Sequence, residues 1–153
     1  MKKRIYLDTC CYNRPFDERS NQRVIHESEA IKQIMLLAEL ESWTIVGSDM
    51  VRIEIDSILD DEKYEDVLTF YQNSVIMELS PDRWTYELAE KVHKTVGTAP
   101  EDSMHIALAE QNQVDYLLTT DDKMLHRALR YPLSVKMLNP IDFMKEVNRN
   151  DQQ

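Results

Sequence analysis

The chain has 153 residues, an apolar content of 42% and a formal net charge of −10, as expected for one soluble globular domain with a substantial hydrophobic core. An acidic chain lacks the basic footprint usual for nucleic-acid binders, although bound divalent cations reverse the sign of charge locally. The sequence has only two glycines and neither a GxGxxG nor a GxxxxGK[S/T] motif, which excludes the common Gly-rich phosphate-binding loops.

The two cysteines are adjacent, at Cys10 and Cys11. Neighbouring cysteines rarely form a structural disulfide because the geometry is strained, so the free thiols indicate a reducing compartment. We interpret them as packing residues rather than nucleophiles. The sequence has no cluster of about four Cys or His residues spaced for zinc, no signal peptide and no run near the ~20 apolar residues of a membrane span. The expected location is the cytoplasm.

Predicted strands and helices alternate along the chain. A strand at 3–8 ends in Asp8, and a polar loop is predicted over 9–20. The segments that follow are a helix at 21–42, a strand at 43–48, helices at 49–59 and 62–73, a strand at 74–79, a helix opened by Ser80-Pro81, a helix opened by the capping-box sequence Thr98-Ala99-Pro100-Glu101, strands at 115–120 and 135–139, and a helix from Pro140. This alternation predicts an α/β fold with a parallel sheet between helices. We expect one domain over 1–147 and a frayed polar tail over 148–153.

Two predicted helices carry an acid on an apolar stripe. Glu54 lies on the apolar stripe of Val51 and Ile55 in the predicted helix at 49–59. Asp102 lies four residues before Ile106, on the apolar stripe of the helix opened by Thr98-Ala99-Pro100-Glu101. A simpler role stays open for each acid at this point, because Asp102 would also favour the helix dipole and Glu54 would reach solvent from the edge of its stripe.

Two further acids follow predicted strands. Asp8 closes the first strand, and Asp121 comes after Thr119 and Thr120. Ligands bind outside the carboxyl ends of parallel strands, where the strand order reverses. Converging carboxylates repel one another unless they are protonated or share a cation, and oxygen ligands suit Mg²⁺ or Mn²⁺. The pattern predicts metal-assisted hydrolysis of a phosphate ester, although a lone acid after a strand is more often a turn or helix cap.

Four segments resemble PIN-domain proteins, and most of all the VapC-like toxins of toxin–antitoxin pairs: IYLDT at 5–9, SDMVRIEI at 48–55, EDSMHIALAEQNQVDYLLTTDD at 101–122 and VKMLNPIDFM at 135–144. The resemblance covers nearly the whole chain, and its most specific part is 102–121. It implies a three-layer α/β/α fold with a five-stranded parallel sheet in the order 3-2-1-4-5. It also implies a ribonuclease that depends on Mg²⁺ or Mn²⁺.

The same resemblance implies a set of site residues, carried over motif by motif. The catalytic and metal-binding acids are Asp8, Glu54, Asp102 and Asp121, with Asp8 and Asp102 as principal ligands and Asp122 as an alternative to Asp121. Thr9 and Thr119 are expected to hold metal-bound water or to orient a carboxylate.

Three other polar residues near these motifs stay open between two roles. Asn13 and Arg14 either touch RNA phosphate or shape the loop that contains them. His105, one helical turn after Asp102, either supports the acids or is a hydrogen-bonded core residue, and the second role is the more common one.

The resemblance further implies a homodimer, an RNA substrate and a small antitoxin partner. No membrane contact is expected, because no apolar run approaches the length of a membrane span. A net charge of −10 suits a basic partner peptide. The main alternative is a non-catalytic PIN-like scaffold that binds RNA or a protein. A haloacid-dehalogenase-like phosphatase would need a DxD sequence after the first strand, whereas this chain has Asp8-Thr9-Cys10.

Overall fold

The computed structural model describes residues 2–152. The strands are β1 (Arg4–Leu7), β2 (Thr44–Ser48), β3 (Met77–Leu79), β4 (Tyr116–Leu118) and β5 (Lys136–Leu138). The helices are α1 (Thr9–Asn13), α2 (Gln22–Glu41), α3 (Asp49–Asp56), α4 (Asp61–Ser74), α5 (Arg83–Val96), α6 (Pro100–Gln111), α7 (Asp122–Ala128) and α8 (Pro140–Asp151), with a 3-10 turn over Arg14–Phe16. The predicted α/β class is confirmed.

The strands form one parallel sheet in the order β3-β2-β1-β4-β5, as predicted. Strand β1 lies at its centre, and Ile5, Tyr6 and Leu7 are fully buried, as is usual for a parallel strand covered on both faces. The chain runs from β1 to β3 on one side and from β4 to β5 on the other. The reversal therefore lies between β1 and β4, whose carboxyl ends flank it.

Helices cover both faces of the sheet. Ile5 is paired with Tyr116, so Tyr6 and Tyr116 point to opposite faces because neighbouring residues of a strand alternate. Tyr6 contacts His105 of α6, and Tyr116 packs edge-on against Phe143 of α8 with ring centroids 4.9 Å apart. This is the three-layer α/β/α arrangement that the resemblance implies.

Gly47 of β2 has no room for a side chain, because the ring of Tyr71 lies close to its backbone. A Cβ atom at Gly47 of β2 would lie 2.2 Å from the Oη of Tyr71 and 2.7 Å from its Cζ. Tyr71 of α4 is fully buried, and its hydroxyl accepts the Ser48 N–H and donates to Glu78. Gly47 therefore makes room for an aromatic ring that joins α4 to two strands.

The predicted loop over 9–20 is wrong in its first half. Residues 9–13 form α1, and a 3-10 turn follows. The side chain of Asp8 caps α1 by accepting the Thr9 N–H, and Cys11 and Tyr12 are buried. Polar residues around Pro15 indicated a loop, but the burial of these two side chains fixes a helical turn.

Two predicted helix starts differ in their caps. Helix α5 begins at Arg83 with Asp82 and Thr85 as a reciprocal capping box, rather than at Ser80-Pro81. Helix α6 begins at Pro100 without a side-chain cap. The hydroxyl of Thr98, the predicted cap, lies 2.6 Å from that of Ser103 instead.

Two helices end three or more residues away from their predicted ends. Helix α3 ends at Asp56, three residues before its predicted end, and α8 continues to Asp151, so residues 148–151 of the expected tail are helical and exposed. Met1 and Gln153, which belong to the predicted ranges 1–147 and 148–153, lie outside the described residues. None of the helices within 2–152 has the length and apolarity needed to cross a membrane.

Candidate active site

Asp8 lies at the carboxyl end of β1, next to the end of β4. Its Oδ1 accepts the Thr9 N–H at 2.7 Å, and its Oδ2 accepts the hydroxyl of Thr119 at 2.8 Å. The residue is only 6% exposed. Two neighbouring strands thus hold one buried carboxylate at the point where the strand order reverses.

Glu54 reaches the same point from α3. Ser48 ends β2 and caps α3 by accepting the Val51 N–H. This cap directs Val51 and Ile55 into the core, and Glu54, which shares their stripe, faces the end of β1. The Thr9 hydroxyl donates to Glu54 Oε1 at 3.1 Å, so Thr9 contacts both acids.

His105 connects the two acids. Its ring is fully buried, and Nε2 is hydrogen-bonded to Glu54 Oε1 and lies 3.4 Å from Asp8 Oδ1. Nδ1 lies 2.6 Å from the Tyr6 hydroxyl. Burial alone would lower the pKa of the imidazole, but the Asp8 charge and the Glu54 hydrogen bond outweigh it, and the pKa is raised.

These three residues are spaced for a shared cation. One ligand atom from each of Asp8, Glu54 and His105 lies within 4.8 Å of the others. The sequence pattern favoured a core histidine, and His105 is indeed buried and hydrogen-bonded, but its partners are the acids themselves. Asp8 follows β1 and Glu54 lies on α3, both far from His105 in the sequence. Only the spacing of one helical turn from Asp102 could have indicated a place for His105 in the site.

Asp102 is half-buried in the first turn of α6, outside that group of three but within its field. Burial, together with the charges of Asp8 and Asp121, raises the pKa of its carboxyl to about 6. Without a cation, this acid is therefore costly to ionise.

The two aspartates after β4 have different surroundings. Asp121 caps α7 by accepting the Met124 N–H, and its own N–H donates to Thr119 Oγ1 at 3.1 Å. Asp122 forms a two-pronged ion pair with Arg23 of α2, at 2.7 and 2.9 Å, and this pair lowers the pKa of Asp122. The charge of Asp121 acts on Asp102 and contributes to its raised pKa. In contrast, Arg23 of α2 binds both oxygens of Asp122.

Arg14 is partly buried and contacts three polar side chains. It pairs with Asp17 at 3.0 Å, donates to Thr120 Oγ1 at 3.1 Å, and places Nε 2.9 Å from Glu27 Oε1 in an ion pair with a poor hydrogen-bond angle. The neighbouring Asn13 Oδ1 is buried without a hydrogen-bond partner among residues 2–152.

Glu27 was missed in the sequence and is completely buried. Besides its ion pair with Arg14, it accepts hydrogen bonds from Arg23 Nε at 3.1 Å and from Asn139 Nδ2 at 2.6 Å. It shares the apolar stripe of α2, the same signal that singled out Glu54, so this signal could have found it.

The cysteines are both free thiols. Cys11 is buried, and burial raises the pKa of its thiol. Cys10 lies closer to the site than a packing role requires, because its Sγ is 3.4 Å from Asp8 Oδ2 and 3.5 Å from Thr119 Oγ1.

A comparison with protein families decides the identity of this fold. The PIN domain model matches residues 5–131, most of the chain. The chain belongs to the PIN-domain family. Among solved structures, this PIN domain is similar to FitAcB from Neisseria gonorrhoeae, with a TM-score of 0.53 and 20% identity over 89% of this chain and 97% of that chain. That likeness concerns the fold, and no curated protein matches the sequence.

The family match confirms the resemblance that the sequence motifs carried. PIN domains are generally nucleases, and the buried acidic group of this PIN domain has a spacing that a metal ion could occupy. Its donors are mainly carboxylate oxygens, which fit a hard divalent cation.

Proposed function

We propose that this PIN domain is an endoribonuclease that uses Mg²⁺ or Mn²⁺ to hydrolyse phosphodiester bonds of RNA. The observation that carries the proposal is the gathering of acids at the carboxyl ends of β1 and β4, with a carboxyl pKa of about 6 at Asp102. Carboxylates that are brought together repel one another, and a shared cation removes this repulsion. The non-catalytic scaffold is less favoured, because none of the four acids is missing.

The residues proposed to hold the metal are Asp8, Glu54, Asp102 and Asp121. When bound, a divalent cation would activate a water molecule and stabilise the leaving oxygen of the phosphodiester. We prefer Asp121 to Asp122 as the fourth acid because Arg23 occupies both oxygens of Asp122.

Two threonines hold the acids in place. Thr119 donates to Asp8 Oδ2 and accepts the Asp121 N–H. Thr9 donates its N–H to Asp8 and its hydroxyl to Glu54. Their proposed role is therefore to orient carboxylates rather than to hold water.

The proposed path for RNA crosses α7, which begins beside Asp121. Exposed Lys123, His126 and Arg130 lie on or just after this helix. Lysine and arginine contacts to phosphate supply affinity without sequence information, and a short basic track of this kind is compatible with an acidic protein.

We further propose that the protein acts in the cytoplasm as the toxin of a type II toxin–antitoxin pair, as a homodimer that a small antitoxin inhibits. The VapC-like motifs and the shared fold with FitAcB support this proposal. The net charge of −10 would attract a basic antitoxin segment.

The first experiment is thermal unfolding of wild type, Asp8→Asn and Asp102→Asn with and without Mn²⁺. A ligand that binds only the folded state stabilises it, by about 2.7 kcal/mol at a hundredfold excess over Kd. We expect Mn²⁺ to raise the melting temperature of wild type and to have little effect on the two variants. Without metal, the variants should be at least as stable as wild type, because each removes charge repulsion.

The matched control is Asp115→Asn, at the amino end of β4 on the opposite edge of the sheet. It should respond to Mn²⁺ like wild type. Cleavage of a mixed-sequence RNA should be lost in Asp8→Asn and Asp102→Asn and kept in Asp115→Asn. No response of wild type to metal, or cleavage that survives both site substitutions, would overturn the proposed function.

A further inference from the structure

His105 is a fully buried side chain that the proposed set of four acids does not include. Both of its ring nitrogens face side chains: Nε2 is hydrogen-bonded to Glu54 and close to Asp8, and Nδ1 lies 2.6 Å from the Tyr6 hydroxyl. A histidine in this place is either a nitrogen ligand of the metal or a donor that holds an acid. The two roles require different tautomers, because a ligand nitrogen needs a free lone pair and a donor needs a proton.

The hydrogen bonds behind the ring decide between the tautomers. Ser48 Oγ accepts the Val51 N–H, and the Ser48 and Tyr6 hydroxyl oxygens are 2.7 Å apart. If Ser48 donates to Tyr6, then Tyr6 donates to His105 Nδ1, and Nε2 carries the proton that Glu54 accepts. In this direction the hydroxyls of Ser48 and Tyr6 and both ring nitrogens of His105 all have a hydrogen-bond partner.

The opposite direction leaves groups unsatisfied. His105 Nδ1 would donate to Tyr6 and Tyr6 to Ser48, and the Ser48 hydroxyl proton would have no acceptor among residues 2–152. The lone pair of Nε2 would then face Glu54 Oε1 and Asp8 Oδ1, which are themselves acceptors. Burial makes both defects costly.

Glu54 is held on one oxygen only. Its Oε1 receives His105 and Thr9, whereas Oε2 accepts no hydrogen bond within the described residues. Fixing Oε1 restricts the carboxylate and leaves Oε2 as the oxygen available to a cation.

We propose that His105 is a positioning residue whose Nε2–H holds the Glu54 carboxylate for metal binding, and that it is not itself a ligand. The inference rests on the proposed function and deepens it, because it makes the donor set entirely oxygen. Such a set favours Mg²⁺ or Mn²⁺ over metals that prefer imidazole, such as Zn²⁺ or Ni²⁺.

The direct test is ¹⁵N NMR of metal-free wild type labelled at histidine, at alkaline pH, with His105→Gln used to assign the ring. We expect Nε2 to have the shift of a protonated nitrogen and Nδ1 that of an unprotonated acceptor, both unchanged when diamagnetic Mg²⁺ is added. A proton on Nδ1 with a bare Nε2, or a metal-induced shift at Nε2, would overturn the proposal.

Variants test the consequence for metal binding. His105→Leu has no donor, and we expect it to raise the Kd for Mn²⁺ by about 10–100-fold, as is usual for partners of metal ligands. His105→Gln keeps an N–H and should recover most of this loss, whereas equal weakening in both variants would contradict a donor role. The control is His26→Gln on the exposed side of α2, which should bind like wild type.

The two readouts separate the possible failures. The NMR measurement uses metal-free wild type, so it stays decisive if His105→Leu does not fold. If wild type binds no Mn²⁺, the proposed function fails, while the tautomer still decides whether His105 holds Glu54.

Discussion

At the scale of single residues, the candidate site contains a carboxyl group placed where burial and like charges oppose ionisation. This group is Asp102, because its pKa is raised to about 6 by burial and by the Asp8 and Asp121 charges. The Thr9 N–H and the Thr119 hydroxyl donate hydrogen bonds to the neighbouring Asp8 carboxylate. The repulsion between Asp102 and these charges is the driving force that we assign to cation binding.

This repulsion predicts a pH-dependent stability in the metal-free protein. The pKa of Asp102 is raised from 3.8 to about 6 in the folded state, so the unfolded chain loses its proton first as pH rises. The contribution of Asp102 to stability is complete below 3.8 and is lost as pH rises through about 6. Urea unfolding across this range should show a steeper loss in wild type than in Asp102→Asn. Parallel curves for the two proteins would contradict the assigned pKa.

At the scale of elements, an ion-pair network around the buried Glu27 joins α2 to the turn between β4 and α7. Glu27 of α2 receives Arg14 and Arg23, and both arginines also contact Thr120, through Oγ1 and the carbonyl respectively. Arg23 continues to Asp122. The network thus fixes the turn that carries Thr119 and Asp121 without contributing an atom to the acid cluster.

We expect Glu27→Gln to destabilise the fold. The substitution removes a buried charge that two guanidinium groups face, and hydrogen bonds to charged groups contribute about 1.5–3 kcal/mol each. The expected loss in unfolding free energy is about 1–3 kcal/mol, because the arginines are partly exposed and can be hydrated. Denaturant unfolding measures this loss, and Glu29→Gln, on the exposed side of the same helix, should change it little. Equal stabilities for the two variants would show that the network is energetically neutral.

The elements also show which features of the chain can be predicted from sequence. Glu54 and Asp102 were recognisable because each breaks an apolar stripe, a signal contained within one helix. Helix α1 was not recognisable, because its cap is the last acid of a strand and its buried residues are only Cys11 and Tyr12 besides Thr9. The sequence could not decide between the two roles left open for His105, since its partners are 51 and 99 residues away and only the fold brings them together.

At the scale of the whole molecule, a net charge of −10 must be reconciled with the polyanionic substrate that we propose. The acid cluster accounts for part of this charge, and a bound cation would reverse its local sign. The exposed cations on and after α7 lie next to that cluster. We therefore expect RNA affinity to depend on few phosphate contacts and to fall with salt.

Charge reversal on α7 tests this expectation. In an inactive Asp8→Asn background, Lys123→Glu should weaken binding of a mixed-sequence single-stranded RNA oligonucleotide. It should also make the negative slope of log K against log salt shallower by about 1. The matched change Lys94→Glu, on α5 where Lys94 pairs with Glu90, should leave the slope unchanged. An identical slope for both variants would exclude α7 from the RNA path.

The close approach of Tyr71 to Gly47 couples the substitutions that are tolerated at two positions 24 residues apart in the chain. Any side chain at 47 would overlap the ring at 71, and a smaller residue at 71 would leave a cavity if 47 stayed glycine. Neither change is tolerated well alone, so the pair can evolve only together. Replacement of Tyr71 has a further cost, because its hydroxyl also accepts the Ser48 N–H and donates to the side chain of Glu78. Across homologous chains, substitutions at 47 and 71 should therefore be inherited as a pair.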